Sequence, residues 1–147
     1  MKISLGSDHA GLALKLEIAL FLERAGHAVL DRGTRTEASV DYPDFAALVC
    51  NDIVTGEAER GILVCGTGIG MSIAANKHVG IRAALCHDTF SARATREHND
   101  ANVLCLGQRV IGAGLALDIV AVWLGAEFAG GKHRQRIDKI TSLENGK

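Results

Sequence analysis

A chain of 147 residues with 48% hydrophobic residues has the size and apolar content of one globular unit built round a substantial core. Its formal net charge of −1 argues against a general nucleic-acid binder, which carries a basic excess on one face. No apolar run reaches the roughly 18 residues needed to span a bilayer, and the amino terminus enters a strand-like run rather than a signal peptide. The expectation is a soluble, cytoplasmic protein, one domain over 1–147, with neither a membrane nor a nucleic-acid partner.

The first apolar run, Ile3 to Leu5, ends in Gly6-Ser7-Asp8-His9-Ala10-Gly11. Leu12, Leu16, Ala19, Leu20 and Glu23 follow at helical spacing, and Gly26 suits a C-cap, which predicts a helix of about four turns. A second run spans Ala28 to Leu30, and a second helix follows Pro43, with Gly56 past its end. The third run, Ile62 to Cys65, stops at Gly66-Thr67-Gly68-Ile69-Gly70 and leads into helix-forming residues. Runs at Ile81 to Cys86 and Val103 to Leu106 complete the set. Short apolar runs alternating with helices are the βαβ pattern, and they predict an α/β, three-layer αβα sandwich with a five-stranded parallel, Rossmann-like sheet. Beyond the fifth run come an apolar helix from Gly112 to Leu124 carrying Trp123, a glycine-rich loop, and an extended C-terminal helix from about Lys132 to Glu144. Ile137, Ile140 and Leu143 share one side of it, suited to folding back on its own domain or to packing on a second subunit, with the first slightly favoured.

Ligands of open α/β sheets bind at the carboxyl ends of the strands, where Cys65 and the Asp8-His9 pair both fall. The amides of the glycine loop suit a phosphate or an oxyanion. The first turn lacks G-x-G-x-x-G and the later loop lacks the Lys-Ser/Thr pair of a nucleotide-phosphate loop, so neither a nicotinamide cofactor nor nucleoside triphosphate hydrolysis is expected. Asp8 has even odds of being a helix N-cap alone. His98, in the polar cluster Arg96-Glu97-His98-Asn99-Asp100-Ala101-Asn102, sits in what is otherwise a solvated connector. Lys132 and Arg136 share a helical face and form either a phosphate clamp, with Arg134 pointing elsewhere, or a solvated basic turn. The four cysteines lack CxxC spacing, and Cys50, Cys86 and Cys105 read as core residues, not as disulfide or zinc ligands.

Taken together, the Gly6–Gly11 motif, Asp41-Tyr42-Pro43-Asp44, Cys65-Gly66-Thr67-Gly68-Ile69-Gly70 with Ile73-Ala74-Ala75-Asn76-Lys77, and His98-Asn99-Asp100-Ala101-Asn102-Val103 closely resemble ribose-5-phosphate isomerase type B, over nearly the whole chain. The resemblance implies aldose–ketose isomerisation of a phosphorylated sugar through a cis-enediolate, without metal or cofactor, in active sites shared between the subunits of a homodimer, and the sequence leaves open whether dimers pair into a tetramer. It implies Cys65 as the proton-transferring base, and Thr67 beside the reacting oxygens. The amides of Gly66, Gly68, Ile69 and Gly70 would bind the enediolate, and Asp8 and His98 would open the furanose ring. It further implies that the neighbouring subunit contributes His98 and Asn99, and that His9, Arg109, Lys132 and Arg136 bind the phosphate. Lys132 departs from the arginine common there and lacks its bidentate fork. Met71 stands where another branch carries a glutamate base, which places the chain in the cysteine branch.

Three further readings stay open on the sequence. Ribose 5-phosphate is the leading substrate, with allose 6-phosphate, galactose 6-phosphate and a four-carbon sugar phosphate as rivals within the family. A non-catalytic sugar-phosphate-binding module needs the glycine loop but no base. Thiol redox chemistry at Cys65 needs a resolving cysteine, and the nearest in the chain, Cys50, reads as a core residue.

Overall fold

The computed structural model describes residues 1–145. Five strands, β1 (Lys2–Ser7), β2 (Ala28–Asp31), β3 (Arg60–Cys65), β4 (Ala83–Leu85) and β5 (Val103–Gly107), form a parallel sheet in the order β2-β1-β3-β5-β4. The helices are α1 (Leu12–Arg24), α2 (Tyr42–Val54), α3 (Ile69–Ala75), α4 (Thr89–Asn99), α5 (Ala113–Gly125) and α6 (Lys132–Asn145). Among the described residues no helix is long and apolar enough to cross a membrane.

Crossovers between parallel strands are right-handed, so the direction in which the chain moves along the sheet decides which face each helix covers. The chain steps from β1 outward to β2 and then back past β1 to β3, which puts α1 and α2 on opposite faces. One core joins Ile3, Leu5, Ile62, Val64, Leu104 and Leu106 to residues of α1, α4 and α5, with Trp123 buried in it; a second joins Leu63, Val103 and Cys105 to Ala46, Val49 and Cys50 of α2 and Met71 and Ala75 of α3. β3 and β5 are covered on both sides and their sequences are accordingly near-continuous apolar runs. At the reversal between β1 and β3 the following loops diverge and open the crevice where such sheets bind ligands.

The predicted first helix forms, but a different stripe of it faces inward. Leu14, Lys15, Ile18 and Leu22 are buried, whereas Leu16 and Leu20 are 51% and 53% exposed. Two apolar stripes overlap on α1, and a buried cation selects between them. Lys15, fully buried, donates from Nζ to both carboxylate oxygens of Asp31 and to the Thr34 carbonyl, all at 2.8 Å. These bonds tie the chain leaving β2 to the helix before it. Arg32 adds a second tie through a bidentate pair with buried Asp52, which also accepts from Ser4.

β4 is an edge strand of three residues. The side chain of Asn76 covers its free side, donating from Nδ2 to the Ala83 carbonyl and accepting from the Ala83 N–H, each at 2.9 Å. The C-terminal helix α6 folds back on its own chain. Ile137 is buried, and the Glu144 carboxylate accepts from the Gly80 N–H at 3.1 Å, while Ile140 and Leu143 stay exposed, the latter at 77%.

Lys15→Met removes the buried cation and leaves Asp31 unpaired. Because Asp31 is itself partly open to water, the expected loss is about 2–4 kcal/mol, at the lower end of the range for a broken buried pair. Urea denaturation of the variant beside the parent measures it, and an unchanged midpoint would remove Lys15 from the set of fold-determining residues.

Candidate active site

Parallel registry brings the ends of β1, β3 and β5 together: Ser7 pairs with Val64, and Cys65 with Gly107. Asp8, Cys65 and Arg109 therefore leave the sheet at one edge. Cys65 is nearly buried, and its Sγ accepts a hydrogen bond from the Gly68 N–H at 3.0 Å. That turn depends on Gly68, whose φ of +76° is left-handed and whose Cβ, if present, would lie 2.5 Å from Leu85 Cδ1 and 2.9 Å from the Leu106 carbonyl carbon. Thr67, exposed above the loop, accepts from the Ile69 N–H at 3.2 Å through its hydroxyl oxygen, which leaves its own proton free to donate.

Asp8 is the N-cap of a short 3-10 turn over His9–Gly11, where a single oxygen, Oδ1, accepts from both Ala10 and Gly11 N–H at 3.0 and 3.1 Å. Among the described residues Oδ2 takes no hydrogen bond, so the cap occupies only one of the two carboxylate oxygens. His9 accepts the Val40 N–H on Nδ1 at 3.2 Å, which puts the proton of the neutral ring on Nε2 as a donor. Arg109 folds back: its N–H donates to the Gly66 carbonyl at 2.9 Å, and its guanidinium lies 3.4 Å from where a Gly66 Cβ would stand.

The other predicted residues are elsewhere. α4 runs back along the sheet, so its last residues, His98 and Asn99, sit at the amino edge, beside the start of β5 and about 16 Å of helix from the carboxyl edge. Asp100 caps the helix in a left-handed conformation, φ 46°, with Arg96 at 2.8 Å and Arg82 at 3.1 Å on its two carboxylate oxygens. Lys132 and Arg136 belong to the same edge, because the Ala129 N–H donates to the Glu97 carbonyl and the rings of His98 and His133 stack with centroids 4.3 Å apart and planes within 9°. Lys132 and Arg136 are exposed and form no salt bridge among the described residues. Arg134 turns away, its guanidinium 4.6 Å over Phe128. One chain thus divides the predicted residue set between the two ends of its sheet, with the larger share at the carboxyl edge.

Two side chains at the carboxyl edge had no assigned role. Tyr42 opens α2 with its ring packed against Gly70, where a Cβ would come within 2.7 Å of it. His87, directly after β4, places Nε2 3.4 Å from the Thr67 carbonyl. The same signal that singled out Cys65, a polar residue ending an apolar run, marks His87. Among the described residues no three His, Cys, Asp or Glu side chains gather as metal ligands.

The family model described as Ribose/Galactose Isomerase matches residues 3–140. The chain belongs to that family. A solved structure of ribose-5-phosphate isomerase B from Clostridium thermocellum superposes with a TM-score of 0.98 at 57% identity, covering 99% of each chain. Ribose-5-phosphate isomerase B of Escherichia coli K12 is 50% identical over 143 residues, 97% of this chain and 96% of the relative. D-erythrulose-4-phosphate isomerase of Pectobacterium atrosepticum is 46% identical over 99% of this chain and 96% of its own length. The sheet order and helical layers described above are those of the family's α/β, Rossmann-like fold.

The four thiols differ in setting. Burial pushes Cys50 and Cys86 up to about 11, with Asp88 adding to the effect on Cys86, and burial lifts Cys105 well above the ordinary thiol range. All four are free, and only Cys65 ends a strand at the crevice. Iodoacetamide near neutral pH is expected to modify Cys65 well before the other three. Peptide mass spectrometry of the native protein reads this directly, and equal labelling of Cys50 or Cys105 would contradict the burial pattern.

Proposed function

We propose that this member of the family interconverts ribose 5-phosphate and ribulose 5-phosphate, with Cys65 as the proton-transferring base. The observation that carries the reading is the Gly68 N–H held on Cys65 Sγ at 3.0 Å beside the carboxyl ends of β1 and β5, which gives a thiolate the donor it needs at the ligand-binding edge. With the sugar in its open form, the Cys65 thiolate takes the proton from C2 of the aldose, and the electron pair forms the C1–C2 double bond as the aldehyde oxygen becomes the enediolate. The proton on O2 passes to O1, a transfer for which the Thr67 hydroxyl is placed. Cys65 then returns its proton to C1, and C2 becomes the ketone.

Gly68 and Ile69 N–H already serve Cys65 and Thr67, so of the predicted oxyanion donors these two act through the side chains they hold. Gly66 and Gly70 remain for the enediolate oxygens. The His9 Nε2–H and the Arg109 guanidinium supply the near half of the phosphate clamp. His98 of the partner subunit opens the furanose with Asp8, Asn99 of the partner subunit binds the sugar, and Lys132 and Arg136 of the partner subunit complete the clamp. The reading requires a homodimer, and the division of the predicted residues between the two edges of each chain's sheet supports it.

A four-carbon substrate has one specific support: the Pectobacterium relative is named for erythrulose 4-phosphate. Proton transfer uses only the first two carbons, so the Cys65 chemistry is common to both readings. Assays with ribose 5-phosphate, allose 6-phosphate, galactose 6-phosphate and erythrose 4-phosphate are expected to give the highest kcat/KM for ribose 5-phosphate. A clear preference for another sugar reassigns the substrate, and inactivity on all four leaves a binding module. Cys65→Ala is expected to lower kcat by about 1000-fold or more with substrate binding retained through the loop and clamp. Normal turnover by that variant would show that the base is another group. Arg136→Ala is expected to act mainly on KM, because the phosphate is held equally in ground and transition states.

A further inference from the structure

The basic segment opening α6 contains a histidine, His133, for which neither the phosphate clamp nor the proton relay has a use. We propose that His133 is a positioning residue for His98: a flat, uncharged plate that fixes the plane of the His98 ring, so that the ring-opening imidazole meets the sugar in one orientation. The inference rests on the reading of His98 as a ring-opening group and adds to it the device that aims it.

His98 is exposed on the last turn of α4, where an imidazole turns freely about its side-chain bonds. Two contacts restrict it. The backbone beneath it ends in the Asp100 cap, clamped by Arg82 and Arg96. The ring itself lies on His133, at 4.3 Å and 9°, the near-parallel stacking distance of two aromatic planes. His133 is half-buried in the first turn of α6, where its N–H donates to the Gly130 carbonyl at 3.0 Å, and the Ala129–Glu97 hydrogen bond ties the preceding loop to the turn that carries His98. The plate is thus fastened to the end of the helix it serves.

Charge explains why a histidine stands between the two clamp cations. Burial first, then His98 on α4 and Lys132 and Arg136 on its own helix, hold the His133 imidazole below its ordinary value. Every charged or titratable group in that set is a cation or becomes one, so His133 stays neutral at neutral pH and presents a ring face to His98. Protonation of His133 in acid would set an imidazolium against the His98 ring beside two further cations, and the stack would open. Ring opening is therefore expected to fall as the pH falls through the titration of His133.

The experiment compares parent, His133→Ala, His133→Phe and His98→Ala on ribose 5-phosphate, which is mostly a closed furanose, and on erythrose 4-phosphate, whose esterified O4 cannot close one. His133→Ala is expected to lower kcat on ribose 5-phosphate on the order of tenfold with KM little changed, and to spare erythrose 4-phosphate. His133→Phe keeps a plate that cannot titrate, so it should retain most of the activity and move the acid limb of the kcat profile to lower pH. Ring-proton NMR shifts of His98 supply a readout independent of turnover: the stacking shift is lost in the alanine variant and kept in the phenylalanine one. A rise in KM alone assigns His133 to the phosphate clamp and overturns the proposal. Unchanged His98 shifts in His133→Ala overturn it whatever the kinetics. If His98→Ala leaves the ratio of the two substrates untouched, the ring-opening reading fails, and the positioning role fails with it; a ratio that moves in His98→Ala but in neither His133 variant sinks the positioning role alone.

Discussion

The contact on which the arrangement depends is a single backbone donor meeting a sulfur atom. For the Gly68 N–H to reach back to Cys65, the chain must reverse within three residues of leaving β3, and the reversal needs a left-handed residue without a Cβ. Leu85 and Leu106 crowd that position from below, so the turn is dictated both by conformation and by the absence of space. Everything around it follows as support. β3 lies at the centre of the sheet with covered faces, and the residues after β5 fasten to the loop from outside through the Gln108 and Arg109 amides on the Cys65 and Gly66 carbonyls. The Cys65 thiol is mounted on the central strand of the sheet, and the donor that meets it is a backbone atom that has no rotamers to lose.

A parallel sheet also imposes a division. All strand ends of one kind lie at one edge, and the helices returning between them deliver their last residues to the other. Asp8, His9, Cys65, Thr67 and Arg109 follow strands; His98 and Asn99 end a returning helix, and Lys132, His133 and Arg136 open the helix docked on it. No adjustment of side chains brings these groups together within one chain. In the proposed dimer the separation becomes useful, because each copy supplies a rigid base-bearing edge and a separately built edge for ring opening.

Much of the fold was legible because it is local. Apolar runs, the proline in the first turn of α2 and the glycines past α1 and α2 each announce an element within a few residues, and the sheet follows from their alternation. The inward face of α1 was not legible, since Leu12, Leu16 and Leu20 fit helical spacing as well as Leu14, Ile18 and Leu22 do. The choice is settled by Lys15 finding Asp31 and Thr34 across the first crossover. In the site, Cys65 and its glycines stood out as one contiguous pattern. His87 follows an apolar run as well but is tied to the loop only by its approach to Thr67, and Tyr42 is marked only by its packing on Gly70 across the sheet edge. The partition of residues between edges was implicit in the strand order, which no stretch of sequence states by itself. The stacking of His98 on His133 joins residues thirty-five positions apart and had no sequence signal beyond the presence of two histidines.

The amide of Asn76 has a consequence for how copies of this chain can meet. A sheet edge is ordinarily a template, since its outward N–H and C=O groups accept a strand from any neighbour that offers one. On β4 one outward pair belongs to Ala83, and Asn76 satisfies both of its members, standing in for one residue of a missing sixth strand. With that pair taken, a strand from another chain finds the short edge partly occupied, which disfavours growth of the sheet on that side. Association through side-chain surfaces, which have a definite shape and a finite extent, favours a closed assembly over an open-ended one.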